Sequence, residues 1–206
     1  MFSVSESAIP EEYKKHGEGE RTLSLTGIAV ASTGDFYVVD GYGLDYIHRF
    51  SAAGEYKSTF GGPDAPYNFS NCHKIMIDPR FTPERILCTD RANLRLSHLN
   101  LDGEFLGVFA EGLRLPSAMA IHEEVLAVAE LEGRVTLLDK HGAVVSTLGE
   151  NTVKEEISTN ETPPSKWREG VFTAPHGIAF DGNGDLYVAE WSKWGRVLRF
   201  NQAGSD

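Results

Sequence analysis

Apolar and polar residues alternate along most of this 206-residue chain in runs of four or five residues. The clearest runs are Ile178-Ala179-Phe180 and Leu186-Tyr187-Val188, which flank a turn rich in glycine and aspartate at residues 181–185. A period of two residues is typical of β-strands with one buried face. Two such runs around a glycine-rich turn predict an antiparallel hairpin.

The same pattern occurs four times, at intervals of about 45 residues that lengthen to about 60 before the last copy. The predicted first strands are residues 27–30, 74–77, 118–121 and 177–180, and the second strands are residues 36–40, 86–90, 126–130 and 186–190. Third strands are predicted at residues 47–50, 96–99, 135–138 and 197–200, and fourth strands at 56–60, 105–109 and 144–148. A glycine follows each third strand, at Gly54, Gly103, Gly142 and Gly204. Fifteen strands in repeats of this length, with no helix, are typical of propeller blades.

We therefore predict an all-β fold, a β-propeller of four-stranded blades, in one domain over residues 21–206. The expected blades are about 21–60, 61–109, 110–149 and 150–206, and the last is incomplete. Residues 1–20 are polar and predict an irregular, poorly ordered segment. Residues 150–169 interrupt the repeat and predict a long surface loop, which is either the kind of segment that often carries function or, equally favoured, a tolerated insertion.

Charge and hydropathy exclude some classes of partner. The formal net charge of −11 argues against a nucleic-acid partner, because such binding depends on clustered Lys and Arg. No apolar run approaches the roughly 20 residues that cross a bilayer. The first 20 residues lack the basic and apolar regions of a signal peptide. We expect a soluble protein without a membrane partner, and its compartment is left open.

The two cysteines allow two interpretations. Cys88 occupies the position of Val38, Val128 and Val188 in the other repeats, which favours a buried small hydrophobic residue. A disulfide with Cys72 is the less favoured alternative, since adjacent strands would bring the two residues close.

Three features suggest binding chemistry at strand ends. An acidic residue closes every second strand, and these candidate binding residues are Asp40, Asp90, Glu130 and Glu190. Trp191 and Trp194 lie in the following loop of the last repeat, where exposed aromatics would suit a ligand, although packing between blades is favoured. The turn at 181–185 begins like a calcium loop but has Leu186 and Ser192 where that loop needs Gly and Glu, which favours a plain hairpin.

One column of residues directly precedes the first strands: Thr26, His73, Ser117 and His176. The innermost strands of a propeller line its channel, so these side chains are expected at one channel mouth. Ser117 is a candidate binding residue there. His73 and His176 are candidate zinc ligands, one short of the three that a firm catalytic site needs. Polar residues hydrogen-bonded at a wet channel are the favoured alternative.

The repeats resemble the NHL-repeat β-propellers in three motifs, at residues 176–179, 187–190 and 195–200. Residues 39–43, 72–73, 89–93 and 174–177 further resemble the peptidyl-α-hydroxyglycine amidating lyase domain of that superfamily. That enzyme releases a peptide amide and glyoxylate with a zinc held by three histidines. The resemblance implies that His73 and His176 match two zinc ligands, and their loop positions suggest Tyr42 as an acid or base and Arg91 as a carboxylate anchor.

The chain departs from this pattern in three ways. The third repeat has Ser117 where a further histidine would be needed, and Gly177 replaces the carboxylate that holds the family's structural calcium. The relatives have six blades, so four repeats predict the last four blades of that pattern. Open blade edges would then favour self-association.

These departures set the order of the functional hypotheses. The first is a binding module that presents a channel mouth and loops to a peptide or small ligand. The second is an active zinc-dependent amidating lyase, a carbon–nitrogen lyase. The third is a scaffold that binds a protein partner at its rim.

Overall fold

The computed structural model describes residues 1–15 and 22–202. These residues form fifteen strands, as the alternating pattern predicts, and three single-turn 3₁₀ helices that it does not predict. Gly204, predicted in the last turn, lies outside the described residues.

The strands form four antiparallel sheets in chain order, here called blades A to D. Blade A contains β1 (Gly27–Val30), β2 (Phe36–Val39), β3 (Tyr46–Phe50) and β4 (Tyr56–Gly61). Blade B contains β5 (Cys72–Asp78), β6 (Arg85–Asp90), β7 (Arg95–Asn100) and β8 (Phe105–Glu111). Blade C contains β9 (Pro116–His122), β10 (Val125–Glu130), β11 (Arg134–Leu138) and β12 (Val144–Leu148). Blade D contains β13 (Pro175–Phe180), β14 (Leu186–Glu190) and β15 (Val197–Phe200).

The predicted fold class is confirmed: the chain is all-β, with three four-stranded blades and one three-stranded blade of the propeller type among the described residues. The turn glycines also behave as predicted. Gly54, Gly103 and Gly142 have φ of 87°, 94° and 82°, a backbone region that glycine enters without steric cost.

We expected one domain, and the chain divides by its internal contacts into two compact units, Met1–Val108 and Phe109–Asp206, with the division inside β8. In the first unit Tyr37, Val39 and Ile47 of blade A pack against Ile75 and Leu99 of blade B. In the second unit Ala127 and Val135 of blade C pack with Phe172, Leu186 and Val188 around blade D. Each core is therefore the apolar face between two consecutive blades.

The preference for a lone buried Cys88 is wrong, because Cys72 and Cys88 form a disulfide with a Cα–Cα distance of 6.0 Å. Both residues are fully buried, as expected for Cys88. The bridge ties the first residue of β5 to the adjacent strand β6.

The two irregular segments have the following structure. Residues 1–15, expected to be poorly ordered, contain the 3₁₀ turns Glu6–Ala8 and Glu11–Tyr13, bury Ile9, and set the Tyr13 ring 5.0 Å from that of Tyr46. The loop at 150–169 contains one 3₁₀ turn, Pro164–Lys166. Its buried Asn151 donates to the carbonyl of Phe172 at 2.8 Å.

The described residues contain no helix with the length and apolar character needed to cross a membrane.

Candidate functional site

A β-bulge places the candidate residues at the start of the innermost strands. In blade B Cys72 pairs with Asp90 and Lys74 with Thr89, so His73 is the extra residue. Ser117 and His176 occupy the same place in blades C and D. A bulge leaves one residue out of the ladder and re-aims its side chain, and bulges are common beside active sites. The column recognised in the sequence is thus a repeated backbone irregularity.

Blade A has no such bulge, and Thr26 directly precedes β1. The Thr26 backbone donates to the carbonyl of Val39 at 2.9 Å, and its hydroxyl oxygen accepts from the backbone of Gly41 at 3.3 Å. A Cβ on Gly41 would collide with the carbonyl oxygen of Cys72. Glycine is therefore required where this loop approaches blade B.

The acidic residues that close the second strands hold the loops that lead into the bulges. Asp90 accepts from the backbone of Ser70 at 2.8 Å and pairs with Arg95 at 2.6 Å. The other three acids are held in the same way. The backbone N–H groups of Ser24, Arg114 and Thr173 donate to Asp40, Glu130 and Glu190, respectively. Arg134 forms an ion pair with Glu130, and Arg196 forms one with Glu190. All four carboxylates are buried. Their geometry is that of a scaffold, and ligand binding by them stays a prediction.

Asp40 differs electrostatically, because it has no arginine partner among the described residues. Burial raises the pKa of its carboxyl group, while hydrogen bonds from the backbone of Ser24 and Leu44 lower it only in part. Asp45, not singled out in the sequence, behaves alike: burial raises its pKa although it accepts from the backbone of Cys72 at 2.6 Å. This contact fastens the loop of blade A to the disulfide-bonded residue next to His73.

Tyr42, His73 and Arg91 form one group in the first unit. Arg91 Nη1 donates to Tyr42 Oη at 3.0 Å, and the rings of Tyr42 and His73 meet edge to face with centroids 5.3 Å apart. Arg91 and His73 are buried, whereas 58% of Tyr42 is exposed. The structure thus brings together both predicted catalytic residues and one predicted zinc ligand, from two loops and one bulge.

Sequence reasoning missed Asn71, which supports this group. Asn71 lies in the left-handed region with φ of 61°, and its carbonyl accepts from the backbone of Arg91 at 3.0 Å. Its side chain donates to the carbonyl of Gly41. A signal was present, because asparagine is enriched several-fold at left-handed positions.

The second unit places other residues around its bulges. Ser117 is buried and its hydroxyl donates to the carbonyl of Leu115 at 3.1 Å. In blade D the backbone of Trp191 donates to the carbonyl of Ala174 at 2.8 Å, two residues before His176. The favoured packing of Trp191 and Trp194 is wrong, because both side chains are about half exposed.

The aromatic loop of blade D is joined to the long loop at 150–169. The backbone of Lys193 donates to the carbonyl of Asn160 at 3.1 Å, and the Lys193 side chain pairs with Glu161. The calcium-like turn is a hairpin, as favoured: Asp181 Oδ1 accepts from the backbone of Asn183 at 2.9 Å and of Asp185 at 3.0 Å.

The donor set does not fit a three-histidine zinc centre. Over residues 1–15 and 22–202 no three His, Cys, Asp or Glu side chains are grouped as a metal centre requires. Of the three side chains in the Tyr42 group only His73 is a common zinc ligand, and both cysteines are engaged in the disulfide. Zinc stays a prediction.

Comparison with known proteins finds a partial match to an amidating lyase and no matching family model. No protein-family model matches the chain. The chain is 29% identical over 191 residues to "Peptidyl-alpha-hydroxyglycine alpha-amidating lyase 2" of Drosophila melanogaster. The matched region covers 88% of this chain and 43% of that protein.

Solved structures with low sequence identity share the fold. Virginiamycin B lyase from Staphylococcus aureus matches with a TM-score of 0.57 and 14% identity, over 88% of this chain and 56% of that chain. A protein of unknown function from Bacteroides thetaiotaomicron matches with a TM-score of 0.56 and 18% identity, over 85% and 46%. The chain spans less than two thirds of each of these relatives. It therefore has a propeller-type fold and resembles an amidating lyase over less than half of that lyase's length.

Proposed function

We propose that this protein is a propeller binding module that recognises the carboxylate end of a peptide or small ligand at the Tyr42–His73–Arg91 group. The observation that carries the proposal is the hydrogen bond from the buried Arg91 to the exposed Tyr42, 3.0 Å long. Tyr42 also contacts the ring of His73, so an aromatic side chain at the surface is held from two sides.

The hydrogen-bonding chemistry of the group favours an anion. A tyrosine hydroxyl has one hydrogen and two acceptor lone pairs. Because Arg91 donates to the oxygen, the Tyr42 hydrogen is directed to another acceptor, which a ligand carboxylate supplies. Arginine carries five N–H donors in a planar fork that matches a carboxylate. Tyr42 then meets the ligand first, and Arg91 supplies charge behind it.

The similarity to an amidating lyase supports the choice of ligand. The name of that relative describes a peptidyl-α-hydroxyglycine as its substrate, which is a peptide that ends in a carboxylate. We extend this class of ligand to the present chain as part of the proposal.

Calorimetric titration with one short peptide in two forms tests the proposal. The form ending in glycine carries the carboxylate, and the C-terminal amide lacks it. We expect the amide to bind at least about tenfold more weakly, since hydrogen bonds to charged groups contribute about 1.5–3 kcal/mol. Arg91→Leu, which introduces the residue found at the equivalent Leu131, should remove this difference. Tyr42→Phe should weaken binding of the carboxylate form several-fold.

Two variants serve as matched controls. Tyr187→Phe changes a tyrosine in blade D, and Arg85→Leu changes an arginine that stacks on Phe81 at 3.9 Å, at the opposite end of β6. Both should bind the carboxylate form as the wild type does. Equal affinity of the wild type for the two peptide forms would refute carboxylate recognition at this group.

The lyase reaction itself is the second candidate, favoured by the assembly of Tyr42, His73 and Arg91 and by the amidating relative. Release of glyoxylate from a peptidyl-α-hydroxyglycine, measured with and without added zinc, tests it. Turnover that disappears in His73→Ala supports the lyase. Carboxylate-dependent binding without glyoxylate supports the binding module.

A further inference from the structure

The contact between blades A and B uses a recognisable set of side chains. Tyr37 Oη donates to the carbonyl of Leu101 at 2.9 Å, and Arg49 Nη1 pairs with Asp102 at 2.7 Å. Both acceptors lie in the turn between β7 and β8. Arg49 also pairs with Asp35 at 2.7 Å and lies 5.8 Å from the Tyr37 ring. This face of blade A, called its rear face, thus docks on the front face of blade B.

Blade D repeats this docking set at the same strand positions. Tyr187 pairs with Arg199 in its sheet as Tyr37 pairs with Arg49. Arg199 forms an ion pair with Asp185 and lies 5.7 Å from the Tyr187 ring. The Arg199 side chain is 53% exposed, whereas the Arg49 side chain is 18% exposed.

The apolar part of the two rear faces differs in the same direction. Val197 of blade D pairs with Ala189, as Ile47 of blade A pairs with Val39. Val197 is 67% exposed, whereas Ile47 is fully buried against blade B. The rear face of blade D therefore has the residues of a docking face and the exposure of an uncovered one.

The front face of blade A, on the opposite side of that sheet, is uncovered over β1, while Phe2 stacks on Phe36 and covers part of the rest. Ile28 is 60% exposed and Val30 is 62% exposed. The residue of blade B in the position of Ile28 is Ile75, which is 1% exposed in the core formed with blade A. A groove of about 660 Å³ runs over this face, with Leu25, Phe2 and Val4 among its lining residues.

We propose that two copies of this chain associate head to tail, with the rear face of blade D in one copy against the front face of blade A in the other. The contact would resemble the one seen between blades A and B, because the rear face of blade D carries the tyrosine and arginine of the blade A rear face, and Ile28 stands where Ile75 stands in blade B. The two faces are different surfaces, so the contact is heterologous and each copy keeps one face open.

The match between the faces also predicts how the contact is held. The turn of blade A has Ala52 and Ala53 at the positions of Leu101 and Asp102. Tyr187 can therefore donate to the Ala52 carbonyl, while Arg199 has no acidic partner in that turn and keeps its pair with Asp185. We expect an interface held mainly by apolar contact.

Sedimentation velocity over a roughly hundredfold range of protein concentration tests the proposal through mass action. The wild type should associate as concentration rises. Ile28→Asp on the front face and Val197→Asp on the rear face should each raise the dissociation constant at least about tenfold, because each places a charge in an apolar contact. Val145→Asp, at an exposed position on β12 of blade C, is the control and should leave association unchanged.

Mixing the two variants distinguishes a heterologous contact from other kinds. The Ile28→Asp chain retains its rear face and the Val197→Asp chain retains its front face. An equimolar mixture should therefore form a one-to-one dimer, although each variant alone remains a monomer. Tyr187→Phe in the otherwise wild-type chain should weaken association without introducing a charge. Circular dichroism establishes that each variant is folded.

Three results overturn the proposal: a wild type that is monomeric at every concentration, an Ile28→Asp or Val197→Asp chain that self-associates as strongly as the wild type, or a mixture of these two chains that forms no dimer.

Discussion

Blades B and D build the same backbone at the mouth of their innermost strands and present different chemistry on it. His73 and His176 are the extra residues of equivalent bulges, each behind a buried acid, Asp90 or Glu190. The residue after the acid is Arg91 in blade B and Trp191 in blade D. Arg91 is buried and hydrogen-bonded to Tyr42, whereas Trp191 is half exposed.

This difference shows that the scaffold and the site are separable. The acid and the paired strands fix the backbone in both blades. The residue after the acid decides the surroundings of the bulge. Arg91, together with Tyr42 of blade A, places the bulge of blade B in a charged hydrogen-bonded group, whereas Trp191 places that of blade D beside an aromatic surface.

Removal of the strand-closing acid should break the scaffold and have the largest effect. Asp90→Ala leaves Arg95 and the backbone of Ser70 without their partner in a buried place. Loss of one member of a buried ion pair typically lowers the free energy of unfolding by about 3–5 kcal/mol. Urea unfolding measures the change.

Glu190→Ala should cost less than Asp90→Ala, because Arg196 lies 3.3 Å from Glu190 whereas Arg95 lies 2.6 Å from Asp90. Asp102→Ala removes an exposed acid and is the control, with an expected change below about 1 kcal/mol. Equal, small effects at Asp90 and Asp102 would contradict the scaffold role.

Removing the disulfide tests a feature that blade B has and blade D lacks, because blade D has Pro175 and Val188 at the positions of Cys72 and Cys88. The double variant Cys72→Ala, Cys88→Val should lower the free energy of unfolding by about 3 kcal/mol, the amount expected for a bridge that closes a loop of this length. Thiol titration of the unfolded wild type without reductant is the companion measurement. Two free thiols in that titration would show that the bridge does not form.

His48→Leu should change the pH dependence of stability, and blade D already has Leu198 at this position. Burial lowers the pKa of His48 from 6.5 to about 4. The folded state therefore keeps His48 neutral while the unfolded chain takes up a proton, so stability falls as the pH decreases from about 6.5 to about 4. The loss is about 1.4 kcal/mol per pH unit from this group.

The leucine variant should have a shallower slope of unfolding free energy against pH in that window. Some slope should remain, because burial also lowers the pKa of His98 although its bond to Asp78 opposes this. His141→Leu, in an exposed turn, is the control. An unchanged slope in His48→Leu would show that His48 is protonated in the folded state.

Trp191→Ala should have the smallest effect on stability, within about 0.5 kcal/mol, as for most exposed positions. Arg91→Ala should cost more, about 1–3 kcal/mol, because it removes a buried side chain and the hydrogen bond to Tyr42. Thermal or urea unfolding of both variants measures the contrast. A larger loss of unfolding free energy in Trp191→Ala than in Arg91→Ala would show that Trp191 is the packed residue and Arg91 the surface residue.

Most of the fold was predictable from the sequence, because strand periodicity and turn glycines are local signals. Predicted and observed strands agree within about two residues at their ends, and β1, β12, β14 and β15 agree completely. Three features were not predictable for a physical reason. The Arg91–Tyr42 bond joins residues 49 positions apart. The bulges depend on register, which a strand pattern does not record. The burial of Cys88 fits a hydrophobic residue and a bridge equally well.

The candidate site was predicted in its residues more than in its arrangement. His73, Tyr42 and Arg91 come together, but their supports Asn71 and Asp45 were not recognised in the sequence. The half-exposed tryptophans show the opposite error, since apolar character alone favoured a packed position.

The repeated bulge has a consequence for how such a protein can change. The residue at positions 73, 117 and 176 is set apart from the ladder, and neighbouring backbone and acids hold its place. One codon can therefore alter what a blade offers at its mouth while the blade still assembles as before. Ser117→His would place an imidazole at the equivalent point of blade C in a single step. At these positions a substitution can change the chemistry that a blade offers while its paired strands stay as they are.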